Sequence, residues 1–294
     1  MANGPRRALN VEGLAALDLR TMKPNGEPWN FEKRADRNEA RRLLDTLNPT
    51  WVIGSPPCTA FSIWNRHMNY PKMNKDKVRE LIEKGRRHLT FMVSIYRKQL
   101  LKGGHFLHEH PATALSWADP GIAALARHPM VHCVVADQCQ YGLVTPSQAD
   151  PQIKLPAMKP TRFMTSSPQM AAVLNKRCPK DHTHQQLVGG RAAQAAFYPK
   201  GLIYAILLGI RNTAIAEGAK IDVREGDQAR VHSLASSRGQ KSQPSTVVAP
   251  DSSVKMVGRG VLPVGYRSEN FKAQYLDEYT GEILPSSLIH GAIV

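Results

Sequence analysis

The sequence predicts an α/β fold built on a parallel sheet, and three observations predict it. Short apolar runs at 51–54, 105–108 and 131–136 have the length of buried strands rather than helices. Longer amphipathic stretches alternate with them. In 76–101, Val78, Leu81, Ile82, Leu89, Met92, Val93, Tyr96 and Leu100 recur at helical spacing. Each apolar run is also followed by a polar, turn-forming segment, at 55–62, 109–111 and 137–142. Alternation of strand and helix is the pattern of a parallel sheet, and such sheets bind ligands at the carboxyl ends of their strands.

Taken in order, residues 1–50 are basic, turn-rich and poor in strands. They close with a helix over 35–47 that stops before Asn48-Pro49, because a proline disfavours helical geometry in the residue before it. The first strand is 51–54, and the 76–101 helix ends at Gly103-Gly104. The second strand leads into Glu109-His110-Pro111, a small helical segment runs to Ala126, and the third strand comes next. The stretch 144–168 is proline-rich and irregular, long enough for a functional loop, and Lys159-Pro160-Thr161-Arg162-Phe163 can open a further strand. A helix over 168–176, a Cys/His segment at 178–184 and a strongly apolar helix over 191–213 complete the domain, set at 1–216. The most apolar stretch, 201–210, is too short to span a bilayer. Beyond it, 217–274 is rich in Ser, Gly, Arg, Gln and Pro and reads as a disordered linker. The end, 275–294, regains apolar character but is too short to fold alone.

The 294 residues, 42% of them hydrophobic, suffice for one medium core with an appendage. Lys and Arg outnumber Asp and Glu by 39 to 24, and the formal charge of +15 is spread along the chain. That balance favours a polyanion as partner, nucleic acid first, although basic chains also arise for solubility. Four cysteines, no signal peptide at Met1 and no long uncharged apolar run describe a soluble protein of a reducing compartment, nucleus or cytoplasm, neither secreted nor membrane-bound. The thiols then need separate explanations.

Cys58 has the clearest one. In Gly54-Ser55-Pro56-Pro57-Cys58-Thr59-Ala60-Phe61-Ser62 it follows a buried strand on a stiff double-proline turn, at the edge where the sheet binds ligands. That is how a nucleophile is presented, whereas a cysteine serving as a small hydrophobe has no need of it. Glu109, after the second strand, occupies the corresponding place one strand on. Cys178, His182 and His184 offer soft ligands at close spacing, with Cys133 or Cys139 as a distant fourth, and zinc or phosphate contact by the histidines are both open.

The Pro-Cys turn with Phe61-Ser62 resembles the catalytic motif of the DNA cytosine-C5 methyltransferases. Glu109-His110-Pro111 is similar to their Glu-Asn-Val or Glu-Asn-Pro motif with His110 for Asn. Asp137-Gln138-Cys139-Gln140-Tyr141-Gly142 resembles their Tyr-Gly turn, but the arginine pair expected after it is missing. The resemblance implies a Rossmann-like class I methyltransferase sheet and S-adenosylmethionine as cofactor. DNA is the implied partner, with RNA as the alternative. It implies that Cys58 attacks cytosine carbon 6 while Glu109 holds N3. It also implies contacts of Asp18, Pro57 and Tyr198 with the cofactor, and of Ser62, Lys159 and Arg162 with substrate or phosphate. A solvated basic loop is an equal reading of the last two. The glycine-rich cofactor loop of that family does not occur before Cys58, so the sheet is expected to be truncated in its cofactor half.

The stretch from Leu14 to Ile210 is similar to methyltransferase-like segments of protist retroelement polyproteins. It shares an Asp18 strand, Ser-Pro-Pro-Cys-Thr, the Glu-His-Pro form, Cys178 with His182 and His184, and Tyr198-Pro199. Asp277-Glu278-Tyr279-Thr280-Gly281-Glu282-Ile283-Leu284-Pro285 resembles the short lead-in to a copia-type reverse transcriptase. The chain is therefore expected to be a fragment, either a methyltransferase or a non-catalytic, nucleic-acid-binding remnant of such a polyprotein.

Overall fold

A computed structural model describes residues 11, 13–18, 20–188 and 190–219. The rest of the expected linker and the segment 275–294 lie outside the described residues.

The first helix, α1 (Arg34–Leu47), buries Ala40, Leu43 and Leu44 and ends at Asn48, which takes the left-handed conformation at φ 41°. Strand β1 (Trp51–Gly54) is buried at all four residues. Helix α2 (Lys75–Leu101) starts at Asn74, whose side-chain oxygen accepts the backbone N–H groups of Asp76 and Lys77 at 2.8 and 3.2 Å, satisfying donors that the first turn leaves orphaned. Strand β2 (His105–Pro111) runs three residues past the apolar run and takes in Glu109 and His110, which are themselves buried. Helix α3 (Pro120–Ala126) is capped by Asp119, with proline in its first turn. Strand β3 (His132–Asp137) and a short 3-10 turn at Gln138–Tyr141 come next.

The 144–168 stretch is not an irregular loop. It holds a hairpin of β4 (Val144–Pro146) and β5 (Lys154–Pro156), then β6 (Pro160–Thr165). Strand β6 corrects the sheet as well. The order is β1-β2-β6-β3, and β6 lies antiparallel to both neighbours, so the sheet is mixed. Proline as its first residue removes no needed donor, and the hairpin turns the chain so that it returns between β2 and β3. Strands β1, β2 and β3 still point the same way, and their carboxyl ends share an edge.

Helix α4 (Pro168–Leu174) is capped by Ser167. The single helix expected over 191–213 is two, α5 (Arg191–Gln194) and α6 (Lys200–Ala216). Pro199, which has no N–H and clashes inside a helix, precedes α6 as its cap. No strand forms at Asp18. The residue sits in a bend, and the bridge nearby pairs Met22 with Pro28.

The period of two along each strand divides the core. Val52, Phe106 and Met164 face α1, α2 and α3, meeting Leu89, Met92, Tyr96 and Ile122. Trp51, Ile53, Leu107 and Phe163 face α4 and α6, meeting Met170, Leu174, Leu202 and Ile206. Phe106, Leu107 and Phe163 are fully buried, each a stabilisation of about 1.5–3 kcal/mol. The molecule is thus a mixed α/β domain with helices on both faces of a four-stranded mixed sheet. Among the described residues, no helix is long and apolar enough to cross a membrane.

Candidate active site

Strands β1 and β2 run parallel with Gly54 opposite His108, so the loops that leave them emerge side by side. At Gly54 a Cβ would overlap the Tyr96 hydroxyl and the Met92 methyl group, which lets α2 lie directly against the end of β1. The chain then turns through Ser55-Pro56-Pro57 to Cys58, which heads a 3-10 turn at Thr59–Phe61. Phe61 anchors that turn by packing against Gly85 of α2. Cys58 is held partly buried beside this anchor.

Two consecutive residues of β2, Glu109 and His110, grip the turn from opposite faces, as the alternation of a strand requires. Glu109 points to the α6 side. One of its carboxylate oxygens accepts the hydroxyls of Ser55 at 2.5 Å and Tyr198 at 2.9 Å. His108 and His110 point to the α2 side. His110 Nε2 donates to the Pro56 carbonyl at 2.8 Å, and its Nδ1 shares a hydrogen bond with the Ser116 hydroxyl at 2.6 Å. Burial lowers the His110 pKa. His110 therefore ties the double-proline turn to the sheet. His108 Nδ1 shares a hydrogen bond with the Tyr96 hydroxyl at 3.0 Å and meets the Trp117 ring edge-on. Burial, reinforced by His110, keeps His108 neutral, and its Nε2 has no hydrogen-bond partner among the described residues.

Charge gathers around Cys58. Burial, and then the Glu109 carboxylate, push its thiol above the ordinary range, while a backbone hydrogen bond and Lys159 pull it down. Lys159 stands close enough to feel both Cys58 and Glu109, although burial dominates and lowers its pKa. Its ammonium donates to the Ala195 carbonyl at 2.5 Å, and its backbone takes the left-handed conformation at φ 34°. Burial and Glu109 raise the Tyr198 hydroxyl well above its usual value, so it remains a donor. The arrangement is a thiol, a carboxylate held by two hydroxyls, and a lysine. The thiol and the lysine both lie within electrostatic range of the carboxylate.

The structure brings Cys58, Glu109, Lys159 and Tyr198 together and sets the other candidates apart. Arg162 lies on the opposite face of β6, its guanidinium 4.8 Å over the Trp117 ring, where it partly offsets the burial that raises the Cys133 thiol. Ser62 caps the short turn through Asn65 N–H, at 3.5 Å. Cys178, His182 and His184 meet Cys139, rather than Cys133, beyond the end of β3. Sequence reasoning missed Ser55, Tyr96 and His108. Ser55 was legible as the first hydroxyl past the strand, but nothing local shows that Glu109 reaches it.

The cofactor candidates fit S-adenosylmethionine poorly. Asp18 accepts the backbone N–H of Arg20 at 2.6 Å within its own turn, Pro57 is exposed, and the Tyr198 hydroxyl is spent on Glu109. Arg20 packs over Phe197, 5.7 Å from the ring centre, so the Asp18 turn adjoins the Tyr198 segment. Even so, no glycine-rich strand-to-helix loop joins them. Among the described residues β1 is the first strand and forms one edge of the sheet. The described residues do not form a cradle for the cofactor. Compared with protein-family models, with curated proteins and with solved structures, the chain gives no match.

Proposed function

We propose that this chain carries the nucleophilic half of cytosine-C5 chemistry on DNA, on a Rossmann-like sheet whose cofactor half is reduced. One observation carries the reading: Cys58 and Glu109 sit at the carboxyl ends of adjacent parallel strands, close enough for the carboxylate to raise the thiol.

The Cys58 thiol, raised by burial and by Glu109, supplies the proton the reaction needs. As sulfur attacks carbon 6 of the ring, the S–H bond breaks and the S–C6 bond forms. The C5=C6 electrons shift toward C4 and onto N3, which takes the proton relayed by Glu109. The thiol proton thus ends on the ring nitrogen, and neither an anionic ring nor an isolated thiolate accumulates. Ser55 and Tyr198 orient the carboxylate, and Lys159 favours the ionised sulfur. Methyl transfer from S-adenosylmethionine is what the resemblance implies next. With no cradle formed for that cofactor, no step is drawn through it.

The surroundings suit a nucleic acid. Just beyond Cys58, Trp64 is 69% exposed and Met68 52%, and Arg66 and His67 share that turn. An exposed aromatic flanked by basic residues can stack on bases, and a target carbon must be turned out of the stack to be reached. Between α1 and α2, Arg37, Arg41, Arg86 and Arg87 line a basic groove.

The test needs no methyl donor. Reversible addition makes carbon 5 nucleophilic, so in D2O the C5 hydrogen of cytosine exchanges for deuterium. Mass spectrometry of DNA incubated with the wild-type chain is expected to show that exchange, and Cys58→Ala to abolish it. A second reading, a nucleic-acid-binding remnant without catalysis, rests on the missing cradle. It expects DNA binding with no exchange at all.

A further inference from the structure

We propose that Cys139, Cys178, His182 and His184 form a structural zinc site. Their ligand atoms all lie within 4.8 Å of one another, although they come from two separated parts of the chain. Cys139 is on the 3-10 turn after β3, and the other three lie beyond α4.

The spacing is that of a tetrahedral metal. Zinc–sulfur and zinc–nitrogen bonds of about 2.3 and 2.0–2.1 Å put sulfur and nitrogen ligands roughly 3.6 Å apart across a tetrahedral angle. Cys178 Sγ lies 3.4 Å from His184 Nε2 and 3.7 Å from His182 Nε2. Two thiolates and two imidazoles in that geometry select zinc over the harder cations. Four protein ligands close the shell, leaving no position for a substrate.

The groups around the ligands point the same way. Asp181 binds His182 Nδ1 at 2.7 Å, which leaves Nε2 free to coordinate, as in the carboxylate–histidine–metal arrangement. The Lys180 N–H donates to Cys178 Sγ at 3.2 Å, and Lys180 takes a left-handed φ of 63° to do so. Asp137, at the end of β3, accepts the Cys178 N–H and the Arg177 guanidinium, each at 2.8 Å, and so fixes the loop against the sheet. Residues 175–190 contain no helix or strand among those described. The same segment continues to Ala195, which holds Lys159, and to Tyr198, which holds Glu109. A metal there would staple to β3 the loop that delivers two groups to the Cys58 site.

Metal analysis of the untagged, full-length chain is expected to find one equivalent of zinc, and X-ray absorption a first shell of two sulfurs and two nitrogens. Cys178→Ser should lose the metal and Cys133→Ser keep it. If Cys178→Ser does not fold, cobalt(II) added to the chelator-stripped wild type decides. The visible bands of tetrahedral cobalt and a thiolate charge-transfer band are then expected. Substoichiometric zinc with no such cobalt spectrum, or a first shell without sulfur, overturns the proposal.

Discussion

At the scale of single residues, Glu109 does two opposed things to Cys58. Burial chiefly, and then its charge, keep the sulfur protonated, and a proton passed on by its carboxylate is what the ring needs. The two effects can be separated. Glu109→Gln removes the repulsion, so the Cys58 pKa falls and the thiolate fraction rises at pH 8. Because nucleophilicity falls as pKa falls, alkylation by iodoacetamide should quicken by roughly threefold for each unit of pKa lost. Deuterium exchange into cytosine should instead slow by about 10²–10⁴-fold, the usual worth of a positioned acid or base. Slower alkylation in the variant would mean that Glu109 does not face the thiol. The sequence put Cys58 and Glu109 past the carboxyl ends of the first two apolar runs; the structure puts Cys58 beyond the Ser55-Pro56-Pro57 turn and Glu109 within β2 itself. The Tyr198 hydroxyl donates to Glu109, a partnership the sequence did not show, since a pairing 89 residues apart leaves no local trace.

At the scale of elements, the site depends on how closely α2 lies on the end of β1. Gly54 sets that distance, because a methyl group there would enter the space of Tyr96 and Met92. Gly54→Ala should therefore lower stability by about 1–3 kcal/mol, read as a lower urea midpoint with an unchanged slope. An unshifted midpoint would contradict the packing. The strands β1, β2 and β3 and the helices α1 and α2 could be read from periodicity within a residue or three. Strand β6 could not be placed. Its Thr161, Arg162 and Thr165 dilute the apolar signal, and its position between β2 and β3 is settled by long-range pairing. The break before α6 was signalled by Pro199 but masked by the apolar character on both sides.

At the scale of the whole molecule, two buried histidines under the site make the fold sensitive to acid. Burial holds the pKa of His108 and His110 below the ordinary value of 6.5. Below that value the unfolded chain binds protons that the folded chain refuses, so stability is full above about pH 6.5 and falls as pH drops toward the folded values. The slope is at most about 1.4 kcal/mol per pH unit for each histidine. Chemical denaturation at pH 7.5 and pH 5.5 should show the loss, and His110→Asn should reduce it. Equal stability at the two pH values would contradict the neutral, buried state of both rings. The basic surface and the arginine-lined groove between α1 and α2 supply attraction for a polyanion, but charge alone does not distinguish a reacting site from a binding one.

That distinction rests on covalent chemistry at Cys58, and exchange of the cytosine C5 hydrogen for deuterium reads it most directly. Wild-type chain should label cytosine in DNA, Cys58→Ala should leave it unlabelled, and Glu109→Gln should label it far more slowly. DNA that binds the wild-type chain yet gains no deuterium, or gains it equally with Cys58→Ala, would contradict nucleophilic attack by Cys58.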